Sequence, residues 1–410
     1  MYKFGFAFLV MISLHTSAQK ISSANNLLWR AAIHRTDGND IVFNFKMEEI
    51  NKKPVLFIIN ASEKIKVDDV HFSNDSVFIN MPVFESSFKA KITSNKWEGV
   101  WTKGTVGKEQ ALPFTAEQNK ERYDLTDGNA KFNISGRWAV AFANDKTKAD
   151  ASIAEFKQTG NNISGTFLTP SGDYRYQQGV VTGNKLKLSG FDGAHAFSFI
   201  ADIINKNKII NGVYFSGAKY KEGWTAMKDA NAKVSTEAEA MYLKPGEEKL
   251  NFHFPDLNGK DISINDAKFK NKVVIVQILG SWCPNCMDET AFLSDYYKKN
   301  KQRGIEIVAL AYEYSTEFNR SVKSLRKFQQ QFNVEYPILI TGVSVSDTLR
   351  TEKTLPQVTP IKVFPSSIII DQKGKVIKFD TGFFGPGTGN HYEEYKKEFY
   401  ATINELLKEK

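Results

Sequence analysis

Cysteine is nearly absent: the 410-residue chain holds two, Cys283 and Cys286. Two cysteines exclude a disulfide-stapled scaffold and a structural zinc site made from cysteines. Long apolar runs are missing beyond the first eighteen residues, and a membrane span takes ~20 such residues. Clustered positive charge is missing as well. Lys+Arg 54 against Asp+Glu 46 leaves +8 on a long chain, and from Glu247 onward the balance is nearly even. Without a basic cluster or a recognisable module, nucleic acid is not an expected partner, and the excess serves solubility. At 41% hydrophobic and 24% charged the composition is that of a globular protein, and the length predicts two or three domains.

What is present begins with a targeting pattern. Residues Met1–Ala18 read MYKFGFAFLVMISLHTSA. Lys3 precedes an apolar run from Phe4 to Leu14, and Thr16 and Ala18 supply small residues at a cleavage site. This reads as a secretory signal peptide (residues 1–18), with a run too short for a membrane anchor. A lipoprotein signal would need a cysteine there. The expected location is the periplasm or another extracytoplasmic space, where a lone vicinal cysteine pair reads as chemistry.

From about Gln19 to Asn231 the chain is dense in short alternating runs and turn pairs. Asp40–Phe45, Ser76–Asn80, Asn162–Phe167 and Lys185–Leu188 are examples. Period-2 runs at this spacing predict an antiparallel sandwich or barrel. A repeat runs through them: Trp29 and Gly99 recur in spacing as Trp138 and Gly212. Two small β-rich domains are expected, at 19–130 and 131–230, with aromatic cores. Residues 231–246, poor in apolar content, read as a linker.

Period and composition change at 247–410. Buried strands are expected at Lys272–Leu279, Gly304–Leu310, Tyr336–Ile340 and Ser367–Asp371, with a hairpin through Lys373-Gly374 into Val376–Phe379. Helices are expected at Pro284–Lys301, Glu317–Phe332 and Tyr392–Glu409. Strand–helix–strand followed by hairpin–helix predicts a mixed α/β sheet with helices on both faces.

Trp282-Cys283-Pro284-Asn285-Cys286 follows a buried strand and opens a helix. Cys283 then sits at the helix N-terminus, where unpaired N–H groups and the dipole favour an anion. Such a setting lowers a thiol pKa from ~8.5 to ~7 or below. The thiolate attacks a disulfide, and Cys286, one turn on, displaces the mixed disulfide. Pro284 has no N–H to lose at a helix start. A zinc half-site would need two further ligands, and the six histidines are scattered. No metal and no cofactor is expected. Glu289, three residues after Cys286, shares its helix face with Leu293 and Tyr296, where a carboxylate is out of place for packing. It reads either as a first-turn acid facing the helix dipole or as a buried carboxyl that moves a proton to or from Cys286.

These residues resemble the thioredoxin-like superfamily, and within it the TlpA-like extracytoplasmic thiol–disulfide oxidoreductases. Ser281-Trp282-Cys283-Pro284-Asn285-Cys286-Met287-Asp288-Glu289 carries the match. So does Phe364-Pro365-Ser366-Ser367-Ile368-Ile369-Ile370-Asp371, which is similar to the family's cis-proline strand. The resemblance covers roughly Glu247–Lys410. It implies a thioredoxin fold, with Cys283 attacking and Cys286 resolving. It also implies that Trp282, Phe364 and Pro365 lie where substrate binds. In that fold Gly382–Gly389 runs near the cis-proline, so Phe383 and Phe384 are expected to wall a substrate groove. The implied partners are a disulfide-bearing protein substrate and a membrane thiol electron donor. The expected activity is reduction of protein disulfides. An oxidant or isomerase of the same fold is the alternative, since family potentials run from ~−270 to ~−120 mV. From another class, the alternative is a ligand-binding β protein whose thiol pair senses redox state.

Overall fold

The computed structural model describes residues 27–105, 108–144, 151–235 and 239–408, so the expected signal segment lies outside the described residues. The alternating runs form nine antiparallel strands between Leu28 and Gln118, in meander order. The first strand, Leu28–Ile33, pairs with the last, Lys108–Gln118. Glu63–Val67 and Asp69–Ser73 stand at the two ends of the sheet order, each paired with one neighbour but not with the other, which leaves one open seam in a barrel-like sheet.

A second nine-stranded sheet between Gly136 and Lys228 repeats the plan. Gly136–Phe142 pairs with Tyr220–Lys228, and Ser152–Thr159 pairs with Asn162–Thr169, which closes the ring. The two-residue strand Gly172–Asp173 attaches to Asn162–Thr169. Trp29 and Trp138 both lie in the first strand of their sheet, and Gly99 and Gly212 both lie in the penultimate one. At Gly212 a Cβ would meet the Trp224 ring at 2.5 Å, so no other residue fits there without displacing that ring.

Alternation turns every second side chain inward. Trp97 and Trp101 are buried while Val100 between them is exposed. Both interiors are filled: Trp29 and Trp97 have ring centroids 4.5 Å apart, and Phe167 stacks on Phe199 at 4.1 Å. These aromatic residues are core, which argues against a barrel built to hold a ligand. The two sheets are also tied together. Buried Arg122 donates to the Ser189 carbonyl at 2.8 Å and to Asn44 Oδ1 at 3.2 Å. Asn60 Nδ2 donates to the Phe191 carbonyl at 2.8 Å.

The expected linker is tied down at its end. Met241 is buried, its N–H donates to Thr381 Oγ1 at 3.1 Å, and the Tyr242 N–H donates to Thr359 Oγ1 at 2.9 Å. Beyond it lies a five-stranded thioredoxin-like sheet: β1 (Val273–Leu279), β2 (Ile305–Ala311), β3 (Ile338–Ile340), β4 (Ser366–Ile370) and β5 (Val376–Thr381). Their spatial order is β3-β2-β1-β4-β5; β1, β2 and β3 are parallel, and β4 is antiparallel to both of its neighbours, β1 and β5. Helices α1 (Pro284–Asn300), α2 (Phe318–Gln331), α3 (Arg350–Thr354) and α4 (Asn390–Leu406) complete it.

The helices cover the two faces unequally. β1, β2 and β3 step in one direction, so right-handed crossovers put α1 and α2 on one face. α4 joins them there, where Phe292, Phe328 and Phe399 pack on Val273, Ile275 and Ile307. The other face is covered by Met241, Phe252, Leu355 and Val358 against Val274, Val276 and Ile278. Ile278 of β1 pairs with Ser366 of β4, which brings Pro365 beside the end of β1 where α1 starts. Among the described residues, no helix is long and apolar enough to cross a membrane.

Candidate functional site

All seven residues of β1 are buried, so the chain leaves the sheet centre through Gly280-Ser281-Trp282. Gly280 is required by close approach: a Cβ there would meet Trp282 Nε1 at 2.1 Å. Cys283 then takes the N-cap position of α1 with extended backbone, and Pro284 is its first helical residue. The Cys286 N–H donates to Cys283 Sγ at 3.2 Å. One of the otherwise orphaned first-turn donors is thereby aimed at sulfur. The two cysteines form a disulfide, with their Cα atoms 5.2 Å apart.

Cys283 Sγ lies 3.4 Å from the Phe364 carbonyl oxygen, and the Phe364–Pro365 bond is cis. Trp282 donates from Nε1 to the Tyr312 carbonyl at 2.8 Å, stacks on Tyr314 and meets Phe364 edge-on. Trp282, Cys283, Cys286, Phe364 and Pro365 are thus brought together.

Glu289 is 1% exposed. Gln277 Nε2 donates to one of its oxygens at 2.8 Å and Ser367 Oγ to the other at 2.9 Å. Burial pushes its carboxyl up to about 7, opposed by those two hydrogen bonds and reinforced by nearby Asp380.

Phe383 and Phe384 require a correction. Phe383 is 1% exposed and packs edge-on to Tyr395 at 4.9 Å, inside the hydrophobic core. Phe384 turns the other way, onto Ile153 and Leu168 of the second β sheet and onto the His391 ring. Gly382, at φ +77°, makes the turn that swings these rings away from the groove they were expected to wall.

Several residues around the site were not foreseen. Buried Glu313, just past β2, accepts from Ser281 N at 2.8 Å and from Ser281 Oγ at 2.6 Å, fixing the loop before Trp282. Burial pushes Glu313 up to about 7 against those bonds. Asn285, between the cysteines, donates from Nδ2 to the Asp173 carbonyl and to Asp173 Oδ2, each at 3.2 Å. Arg175 donates from Nη1 to the Pro284 carbonyl at 3.2 Å and ion-pairs with both Asp288 and Glu63. Burial pushes Asp288 up to about 7 against the pull of Arg175. The residue type of Asn285 was in the motif, but nothing local in the sequence pairs it with Asp173. Among the described residues, no three His, Cys, Asp or Glu side chains converge as a metal site would require.

Comparison with known proteins agrees with this geometry. The Redoxin family model matches residues 244–395. Thiol-disulfide oxidoreductase ResA of Bacillus thuringiensis subsp. konkukian (strain 97-27) is 31% identical over 163 residues, 40% of this chain and 82% of that protein. ResA of Bacillus subtilis (strain 168) is 30% identical over 140 residues, 34% of this chain and 69% of that protein. Among solved structures, a putative protein disulfide isomerase from Bacteroides thetaiotaomicron is 21% identical, with a TM-score of 0.31 over 41% of this chain and 93% of its own. With a vicinal disulfide at the start of α1 and a relative 31% identical across 82% of its own length, the chain belongs to the ResA-like thiol–disulfide oxidoreductases, enzymes of the thioredoxin-like fold.

Proposed function

We propose that the protein reduces disulfides of protein substrates outside the cytoplasm, with Cys283 as the attacking residue. The observation that carries this is the position of Cys283 Sγ at the N-cap of α1, with the Cys286 N–H directed at it. A thiolate there gains from the dipole and from that donor. In the reduced protein the Cys283 thiolate attacks one sulfur of the substrate disulfide, forming a mixed disulfide and expelling one substrate thiolate. Cys286 then loses its proton, attacks Cys283 Sγ and expels the second substrate thiolate. The protein is left as the Cys283–Cys286 disulfide; the substrate has gained two electrons, and its two released thiolates take up protons from water. Glu289 accepts the Cys286 proton, a role that suits a carboxyl titrating near neutrality on that helix face. Trp282, Phe364 and Pro365 border the attacking sulfur and serve as the substrate-binding surface.

The signal pattern at Met1–Ala18 supports the extracytoplasmic location, and a membrane thiol protein is the electron donor that would reset the pair. Equilibration of the full-length protein in dithiothreitol and glutathione buffers tests the direction. A potential near the ~−270 mV of thioredoxin supports a reductase, and one above ~−180 mV makes the protein an oxidant or isomerase.

A further inference from the structure

Turnover requires that Glu289 hand on any proton it takes from Cys286, and at 1% exposure it does not meet bulk water itself. A row of polar side chains leads away from it. Ser367 of β4 lies between Gln277 of β1 and Asp380 of β5 in the strand pairing, so the three side chains share one face of the sheet. That is the face on which α1 and α4 pack, and its neighbours Ile275 and Ile369 are apolar core. Burying three polar residues abreast opposes folding unless each is paired. Gln277 and Ser367 both donate to Glu289. Asp380 is held at one oxygen: Lys378 Nζ lies 2.9 Å from its Oδ1, while its Oδ2 is buried with no hydrogen-bond partner among the described residues. The Tyr395 hydroxyl, from α4, is likewise buried and unpartnered among them. Burial pushes that hydroxyl well above its ordinary range, and Glu289 and Asp380 push it further, so it lies within electrostatic reach of both carboxyls.

β5 is the edge strand, so the row ends at the surface. A cleft of about 610 Å³ opens there, and Asp380, Thr381, Tyr395 and Glu398 are among the residues lining it. A water takes ~30 Å³ and, where buried, ~3 polar partners, two of which Asp380 Oδ2 and the Tyr395 hydroxyl supply. On its far side Lys378 lies 3.8 Å from Glu398, whose side chain is mostly in solvent.

We infer that Asp380 and Tyr395 form the proton outlet of Glu289: as the Cys283–Cys286 disulfide closes, the Cys286 proton passes to Glu289, then to Asp380, and into water at the β5 edge. The inference rests on the proposed exchange, with Glu289 as its acceptor, and adds where the proton goes. One proton leaves the Cys286 thiol for the Glu289 carboxylate. A water held by Asp380 Oδ2 and the Tyr395 hydroxyl carries it to Asp380, which releases it to the cleft, so both carboxylates are restored. Asp380 and Tyr395 act through Glu289, not on the sulfurs. The titratable groups facing Glu289 are Cys286 on its own helix, Asp380 on β5, Tyr395 on α4 and Tyr336 ahead of β3, whose hydroxyl donates to Gln277 Oε1 at 3.1 Å. Asp380 is the one whose charge helps to hold the proton on Glu289.

The test mixes pre-reduced full-length protein, freed of reductant, with a short disulfide-bonded peptide and follows the single-turnover oxidation across pH. Above about 7, where Glu289 is a carboxylate, Asp380→Asn should slow it about tenfold, a fraction of the ~10²–10⁴-fold that positioned proton transfer contributes. Its pH–rate inflection should also move below about 7, because a charge that raises Glu289 is gone. Asp380→Glu restores the carboxylate and should recover most of the rate. Tyr395→Phe deletes only an unpartnered hydroxyl, so packing is kept, and should slow the turnover about threefold. In a Glu289→Gln background there is no proton to export, and Asp380→Asn should add less than about twofold. Equal slowing in both backgrounds makes Asp380 a packing residue and overturns the inference, as do wild-type rates in both Asp380→Asn and Tyr395→Phe; the exchange chemistry then stands. A wild type that leaves the peptide disulfide intact overturns the exchange reading itself, and this inference with it.

Discussion

Glu289→Gln removes a buried ionisable group while keeping its shape and its hydrogen bonds. The amide oxygen can still accept from Gln277, and the amide N–H can donate to Ser367 Oγ, which rotates to accept. The wild-type carboxyl holds its proton up to about 7 in the fold, against 4.5 when unfolded. Between those values the folded chain binds more protons than the unfolded one, so stability falls as pH rises from 4.5 to about 7 and levels off above it. At ~1.36 kcal/mol per pH unit the loss amounts to about 3 kcal/mol. Glutamine cannot ionise and suffers none of it. The variant's advantage over wild type should therefore grow from near zero at pH 4 to about 3 kcal/mol at pH 8. Every other titrating group is common to both proteins and cancels in the comparison. Hydrogen exchange of the β1 amides from Val274 to Ile278 reads the opening free energy of the unit that holds Glu289. The reduction rate should lose its inflection near pH 7 in the variant. An advantage that stays the same at pH 4 and pH 8 would refute the buried-carboxyl argument.

Two further predictions concern residues that shape the site and the second β sheet. Ser281→Ala takes a hydroxyl donor from buried Glu313 and should cost ~1–3 kcal/mol above pH 7, less below it, because a protonated carboxyl needs the donor less; thermal melts at pH 5 and 8 compare the two. Gly212→Ala drives a methyl into the Trp224 ring and should destabilise the second β sheet by ~3 kcal/mol or more, seen as early loss of its amide protection while β1 amides keep theirs.

The dithiol was legible in the sequence because its chemistry is local. Cys283, Pro284 and Cys286 lie within one helical turn, and the strand before them is a continuous apolar run. Glu289 was legible by helix spacing alone. The barrel repeat could be read because each copy needs a tryptophan in its first strand and a glycine where its penultimate strand is crowded. What could not be read is how separate units dock. Asp173 lies 112 residues from Asn285, and no periodicity in either segment encodes their meeting. Phe84 and Ala194 join the apolar cluster that holds the two cysteines, and nothing local in the sequence places them there. Phe383 and Phe384 were misplaced for a related reason: a glycine-rich run reads as an exposed connection, while the left-handed turn at Gly382 sends one ring into the core and the other onto a neighbouring sheet.

Trapping of the half-reaction tests the attacking role of Cys283 most directly. Cys286→Ser, reduced and mixed with a short disulfide-bonded peptide, should stop at a stable mixed disulfide that peptide mapping assigns to Cys283. Cys283→Ser should give no adduct, because Cys286 is fully buried and lacks the N-cap position. An adduct on Cys286 in the Cys283→Ser protein, with none on Cys283 in the Cys286→Ser protein, would contradict the account.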